Sequence, residues 1–485
     1  MDRTPPRNLL PTVSALLLLL GTSACSVPLA PGYQIVSETR EIRFIPGDPS
    51  EIDIRARYTL KNSGTADLEF IDVTFPDPKA YGRTDLKVEL DGHTAKITDL
   101  PAEYQQDSPN TSRLPFESVW KRGEKHDLSI EYDFRSPEDT GERLTIGAQE
   151  FHLGSRGWSP VLQAPKHFLS PFPARPDRTS YTVTVPSDFL VWSGGNLKGR
   201  RQSGGSTEFK FDLRRSDIAP AVVAGHYVAS HPETKAASVI FWTFQPLKDN
   251  PGPAAERITS VWNTLTNDFG PLEKNIHVPH IVESNAVGDV EGATSGPAAA
   301  DFSGGVLVSP ALLSLGLDSD GFLERVSHRL AHNWFGDEVF FGRYTAIGLG
   351  EGLPDYATIV AEESLKGSPG RRSRILNYLR QYDHAREIAE EVPLGVITRT
   401  DSPAQQRIAE AKAALFFVAI EDAVGEKPMR DGLKNLLSLL RGQEINYDVL
   451  RAEIENVSGK KLADLFRVWL NDKGIPEDFR VRYQT

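Results

Sequence analysis

His328 and His332 stand four residues apart in the segment DSDGFLERVSHRLAHNWFGDE, and Glu351 follows nineteen residues after His332. Four residues advance an α-helix by almost one turn, so histidines at that spacing share a face and their imidazoles can both reach one divalent cation. Eleven histidines in 485 residues produce such a pair by accident about 0.25 times per chain, and demanding a glutamate at one fixed later offset lowers this to roughly 0.02. Two imidazoles and a carboxylate leave one tetrahedral position open, the donor set of a catalytic zinc rather than of a closed structural one. Asp355, four residues past Glu351, shares its helix face and is placed to accept the N–H of a ligating histidine, fixing its tautomer.

These residues need helices to present them. Phe322, Val326 and Leu330 recur at i, i+4 and i+8, with Asp318 or Asp320 as N-cap and Gly336 as a stop, which predicts a helix carrying both histidines. Gly350 and Pro354 suit a loop leading into a second helix, with Tyr356, Ile359 and Val360 on its buried face. Helical periodicity begins at Arg257–Phe269 and runs almost continuously from Phe322 to Leu470. From about Ile35 to Tyr227 the pattern has period 2 instead, as in EIDIRARYTL, HDLSIEYDF and EFKFDL, with turn clusters between the runs. The expected fold is therefore multidomain α+β: an N-terminal antiparallel β-sandwich-like domain over residues 30–228, then a mostly α domain over residues 229–485.

Composition narrows the function. With 39% hydrophobic and 25% charged residues the chain is neither disordered nor a multi-span membrane protein, and 54 Lys+Arg against 66 Asp+Glu leave no basic stripe for nucleic acid. The single cysteine, Cys25, permits neither a disulfide within the chain nor a thiolate cluster. Arg3 and Arg7 precede an apolar run from Leu9 to Leu20, and Ser23-Ala24-Cys25 resembles a bacterial lipobox. Residues 1–24 are thus expected to be a lipoprotein-type signal peptide cleaved before Cys25, and the mature chain an exported lipoprotein, facing the periplasm in the bacterial cell envelope and tethered to its membrane through lipidated Cys25. GATSG is not a nucleophile elbow, and GLGEG lacks the third glycine of a dinucleotide loop.

His328–Gly336, HRLAHNWFG, resembles the HELAHQWFG of the gluzincin metallopeptidases of the aminopeptidase N type, whose signature is H-E-x-x-H, eighteen residues, then E. Ser216–Tyr227 (SDIAPAVVAGHY), Asn267–Pro271 (NDFGP) and Ser458–Pro476 (SGKKLADLFRVWLNDKGIP) are similar to further stretches of that family. The resemblance implies a thermolysin-like catalytic-type domain, one Zn2+ per chain on His328, His332 and Glu351, and a peptide or protein as substrate or ligand. It also marks three departures. Arg329 occupies the seat of the general-base glutamate, and a guanidinium cannot accept a proton at neutral pH. Aligning EAKAALFF puts Glu410 at the oxyanion-stabilising tyrosine, with Lys412 and Ala413 at the lysine and glycine that follow. Gly292, Ala293 and Ser295 fall on the substrate-binding stretch, Ser295 at the glutamate that holds a substrate amine. The expectation is a pseudoenzyme-like member with impaired hydrolysis, in which Arg329 pairs with Glu410, or a base comes from Glu291 or Glu324. The alternative is a fully non-catalytic envelope scaffold or binding protein with a vestigial metal site.

Overall fold

The structure is a computed structural model. It describes residues 32–484 except 65, 80–81, 101–109, 136–143, 155–156, 164–177, 215–220, 233–237, 249, 273–277, 286, 288–298, 303, 343–344, 399 and 401. The signal-like residues 1–24 and Cys25 lie outside the described residues. No described helix is long and apolar enough to cross a membrane.

Strict alternation builds the first half. Along Glu51–Asn62 every second side chain is buried, so Ile52, Ile54, Ala56, Tyr58 and Leu60 face inward while the charged residues between them face outward. This strand pairs with Tyr33–Ile45 and Lys125–Arg135 inside an eight-stranded sheet. Two four-stranded sheets accompany it, and one apolar core draws on strands of all three. The pairing is mixed rather than purely antiparallel: Tyr33–Ile45 runs parallel to Arg178–Pro186. That partner lies far along the chain, so no hairpin turn signals it.

A five-stranded sheet opens the second half, in the order Val228–Ser230, Ile240–Thr243, His280–Glu283, Gly305–Val308, Ala299–Phe302. Its strands are three or four residues long, and Gly305–Val308 is buried throughout, so it shows no alternation to read. The helices pack beside it: α1 (Gly252–Phe269), α2 (Asp320–Ala331), α3 (Gly352–Arg386), α4 (Pro403–Val424) and α5 (Glu426–Leu439), followed by three shorter ones ending at Gln484. Their common core holds Leu265, Val326, Leu330, Tyr356, Phe416 and Phe417. A smaller cluster, including Trp192, Val223, Trp242 and Phe302, joins the β half to the five-stranded sheet.

Two local features place the histidine helix. Ser319 caps α2 by accepting from Phe322 N at 3.1 Å; the cap is therefore this serine and not Asp318 or Asp320, and Asp320 instead binds Arg257 at 2.8 Å. Beyond His332 the chain widens over Asn333–Glu338, and Gly336, at φ 152°, turns it away. Trp334 Nε1 donates to Gly270 O at 2.7 Å, and Phe335 meets Phe269 edge-on, so HNWFG is bolted to NDFGP at the end of α1.

Candidate metal centre

Helix α2 projects His328 and His332 from one face, and Glu351, the residue at the N-cap of α3, meets them across the gap. The Nε2 atoms of the two histidines are 3.2 Å apart. Glu351 Oε2 lies 3.4 Å from His328 Nε2 and 3.5 Å from His332 Nε2. A tetrahedral zinc with bonds of about 2.05 Å holds its donors about 3.3 Å apart, the edge of the tetrahedron. The triangle formed by these side chains matches that edge on all three sides, so the residues present fit a zinc ion without rearrangement.

Asp355 stands one turn into α3, and its Oδ1 accepts from His328 Nδ1 at 2.7 Å. That bond leaves Nε2 of His328 as the atom facing the other donors. Burial disfavours the imidazolium of His328, but the adjacent Asp355 carboxylate outweighs it and lifts the pKa to about 10, with Arg329 acting in the opposite sense. Burial likewise opposes ionisation of Glu351, yet His332 and His328 hold its carboxyl well below the usual range. The protein atoms thus demand positive charge at the point where the three donors meet, and a divalent cation satisfies that demand.

Helix α4 forms the third wall. Gly352, next to Glu351, lies so close to α4 that a Cβ there would stand 2.6 Å from Ala413 Cβ. Glu410 is one turn back from Ala413 and half-buried. Its pKa is pushed up to about 7, first by burial and then by the charges of Glu351 and Asp355. Glu410 Oε1 accepts from Gln406 Nε2 at 2.7 Å, four residues back on its own helix. A same-helix partner at that spacing needs no bridge across the cleft. Lys412 points elsewhere. It is fully buried and bonds Glu391 Oε1 at 2.6 Å, tying α4 to the loop after α3.

Of the two substitute bases, Glu324 is engaged by the Arg374 guanidinium. Glu291 lies outside the described residues, as do Gly292, Ala293 and Ser295. Tyr378 was missed by sequence reasoning: its hydroxyl donates to the same Asp355 Oδ1 at 2.9 Å. Its one signal is the Gly367-Ser368-Pro369-Gly370 interruption in a long helical run, which marks a bend but not what the bend delivers.

Residues 306–469 match the Peptidase family M1 domain. Aminopeptidase M1-B of Oryza sativa subsp. japonica is 24% identical over 154 residues, 31% of this chain and 18% of that protein. Tricorn protease-interacting factor F2 of Thermoplasma acidophilum is 23% identical over 158 residues, 31% of this chain and 20% of that protein. The match thus spans about a fifth of either relative. The M1 zinc metallopeptidase from Deinococcus radiodurans superposes with a TM-score of 0.63 at 16% identity, covering 92% of this chain and 95% of that one. A two-domain M1 zinc metallopeptidase variant bound to L-tryptophan gives 0.64 at 17%, covering 92% and 96%. The β-sheet half followed by a helical half is the two-part fold of those enzymes. Residues 306–469, which carry all three donors, thus match the Peptidase family M1 domain, and the described fold is similar to that of M1 zinc metallopeptidases.

Proposed function

We propose that this chain is a zinc-binding M1 metallopeptidase homologue that recognises peptides and whose hydrolytic step is impaired. The observation that carries the reading is the donor triangle, His328, His332 and Glu351, with sides of 3.2, 3.4 and 3.5 Å. One zinc per chain, held by these three, would supply Lewis-acid polarisation of a carbonyl oxygen. Asp355 holds His328 in the tautomer that presents Nε2. Arg329 follows His328, where a proton acceptor is required; its guanidinium stays charged at any accessible pH and removes a contribution of roughly 10²–10⁴ in rate. Peptide as the ligand class is supported by a Deinococcus radiodurans M1 variant solved with a Tyr-Ser-Ala substrate.

A second reading, a fully non-catalytic binding or scaffold protein, is favoured by Glu410. In its ionised form this carboxylate would repel an oxyanion instead of steadying it, and in neither form does it replace a tyrosine hydroxyl held for that purpose. Under either reading the lipobox-like Ser23-Ala24-Cys25 supports export and a lipid tether at the cell envelope, which labelling of the intact chain with a fatty-acid analogue, beside Cys25→Ser, would test.

The deciding experiment measures bound zinc and hydrolysis of a peptide panel for the protein and for Arg329→Glu. One zinc per chain, with turnover rising at least 10²-fold in the variant, is the expected result. Vigorous zinc-dependent hydrolysis by the unaltered protein would refute the impairment, and no zinc in either form would refute the ligand assignment.

A further inference from the structure

Tyr378 lies 23 residues after Asp355 within one helical run, yet the two side chains share a hydrogen bond of 2.9 Å. Along a straight α-helix they would be about 35 Å apart. The distance closes because α3 reverses at Gly367, whose φ of 68° and ψ of −167° belong to a region open essentially only to glycine. Residues 368–386 then fold back along residues 352–366. Arg374 Nη2 donates to Glu362 Oε1 at 2.8 Å, so this contact and the Tyr378–Asp355 contact are both centred on the bend, as in an antiparallel hairpin. Arg374 also grips Glu324, one turn before His328 on α2. The returning arm therefore touches both elements that supply the donors.

We propose that Tyr378 is a positioning residue for the metal centre: its hydroxyl, delivered by the reversal at Gly367, fixes the Asp355 carboxylate that aims His328 Nε2 at His332 and Glu351. Asp355 Oδ1 accepts from His328 Nδ1 at 2.7 Å and from Tyr378 at 2.9 Å, so one oxygen anchors both partners. Tyr378 and Asp355 are both buried, at 5% and 8% exposure, which leaves little room for water to replace the hydroxyl. Without that donor the carboxylate is free to turn about its terminal torsion, and the imidazole turns with it. Partners of this kind, one step behind a ligand, are worth 10–100-fold in metal affinity; Tyr378 stands two steps behind, so about tenfold is expected.

This inference rests on the reading of His328, His332 and Glu351 as zinc ligands. The test is zinc affinity of the full chain, measured by competition with a chromophoric chelator. Tyr378→Phe is expected to weaken zinc about tenfold. In the Asp355→Asn background the same change should alter affinity less than twofold, because the hydroxyl acts only through that carboxylate. Tyr356→Phe is the matched control: it removes a buried hydroxyl from the same helix, one that bonds Glu421, and should leave zinc affinity unchanged. Gly367→Ala strains the reversal while keeping every side chain of the centre, and should weaken zinc in the same direction. Unchanged affinity in Tyr378→Phe, or equal losses with and without Asp355, would overturn the positioning role and leave the zinc reading standing. Absence of zinc from the unaltered protein would instead overturn that reading beneath it.

Discussion

Gly352→Ala sets two opposing effects against each other at the junction that places Glu351. Gly352 opens α3, where alanine would ordinarily stabilise a helix by up to about 1 kcal/mol over glycine. The new Cβ, however, would stand 2.6 Å from Ala413 Cβ, 3.0 Å from Phe417 Cε2 and 3.2 Å from the Ala413 carbonyl carbon. Carbon atoms rest at about 3.5–4.0 Å, so α3 and α4 must part by about 1 Å. Two of the three obstacles are backbone or Cβ of a helix and cannot swing aside. Overpacking of this kind costs about 1–3 kcal/mol, and with unyielding obstacles the upper half of that range applies, so after a propensity gain of up to about 1 kcal/mol a net loss of about 1–2 kcal/mol remains. The same retreat carries Glu351 away from histidines whose spacing to it is 3.4 and 3.5 Å, and a centre displaced by about 1 Å is expected to bind zinc about tenfold more weakly. Urea denaturation with zinc chelated reads the first effect, and chelator competition reads the second. A variant as stable as the parent, with zinc affinity within twofold, would show that the α3–α4 approach does not set the donor triangle.

Two further predictions concern groups outside the centre. Lys412→Met removes the close cation from Glu391, a carboxylate at 1% exposure that keeps Tyr382, the Gly474 amide and a longer 3.8 Å contact to Arg386, so a loss at the lower end of about 3–5 kcal/mol is expected in chemical denaturation; a loss below about 1 kcal/mol would mean that Arg386 or water takes over the lysine's place. His280 packs between Trp192 and Trp242, and burial, with His231 nearby, lowers its pKa from 6.5 to about 3. The fold therefore keeps it neutral while the unfolded chain takes up a proton below pH 6.5, so its contribution is complete above that pH and shrinks as pH falls toward 3. From pH 7 to 5 the parent should lose about 2 kcal/mol more stability than His280→Gln, and parallel pH curves for the two proteins would refute the assignment.

What could be read in the sequence follows the range of the interactions. His328 and His332 share a face by local helix geometry, and Glu351 begins the next helix, so residue spacing alone suggested a triangle that the fold then draws. The outward charges and inward aliphatics of Glu51–Asn62 were equally local. The five-stranded sheet was not visible, since three- and four-residue strands such as Gly305–Val308 are buried on both faces and lose the alternation that marks a strand. Tyr378 was invisible because periodicity continues on both sides of Gly367, and only a backbone reversal distinguishes a hairpin from a rod. The Gln406 partner of Glu410 was equally out of reach, since charge at an alignment position carries no information about which neighbour on the same helix it meets.

An arginine beside a zinc site raises the question of whether the metal would still be held. A unit positive charge about 5 Å from a divalent cation opposes it by about 6–7 kcal/mol at an effective dielectric constant near 20. Two carboxylates act the other way, and a third does so in part. Glu351 faces the donors directly and Asp355 stands behind His328, while Glu410, pushed up to about 7 by burial and then by both of them, carries only part of its charge at neutral pH. Each carboxylate at a comparable distance attracts the cation by an amount of the same order, so the sum over fixed charges still favours a metal with Arg329 present. The residue after His328 also lies about 100° around the helix from it, so exchanging its side chain leaves the donor spacing untouched. Holding the metal is a property of two helices, a carboxylate behind His328 and the local field; accepting a proton is a property of one side chain. On the proposed reading the arginine removes the second and spares the first, which is why zinc stoichiometry and turnover have to be measured separately in this protein.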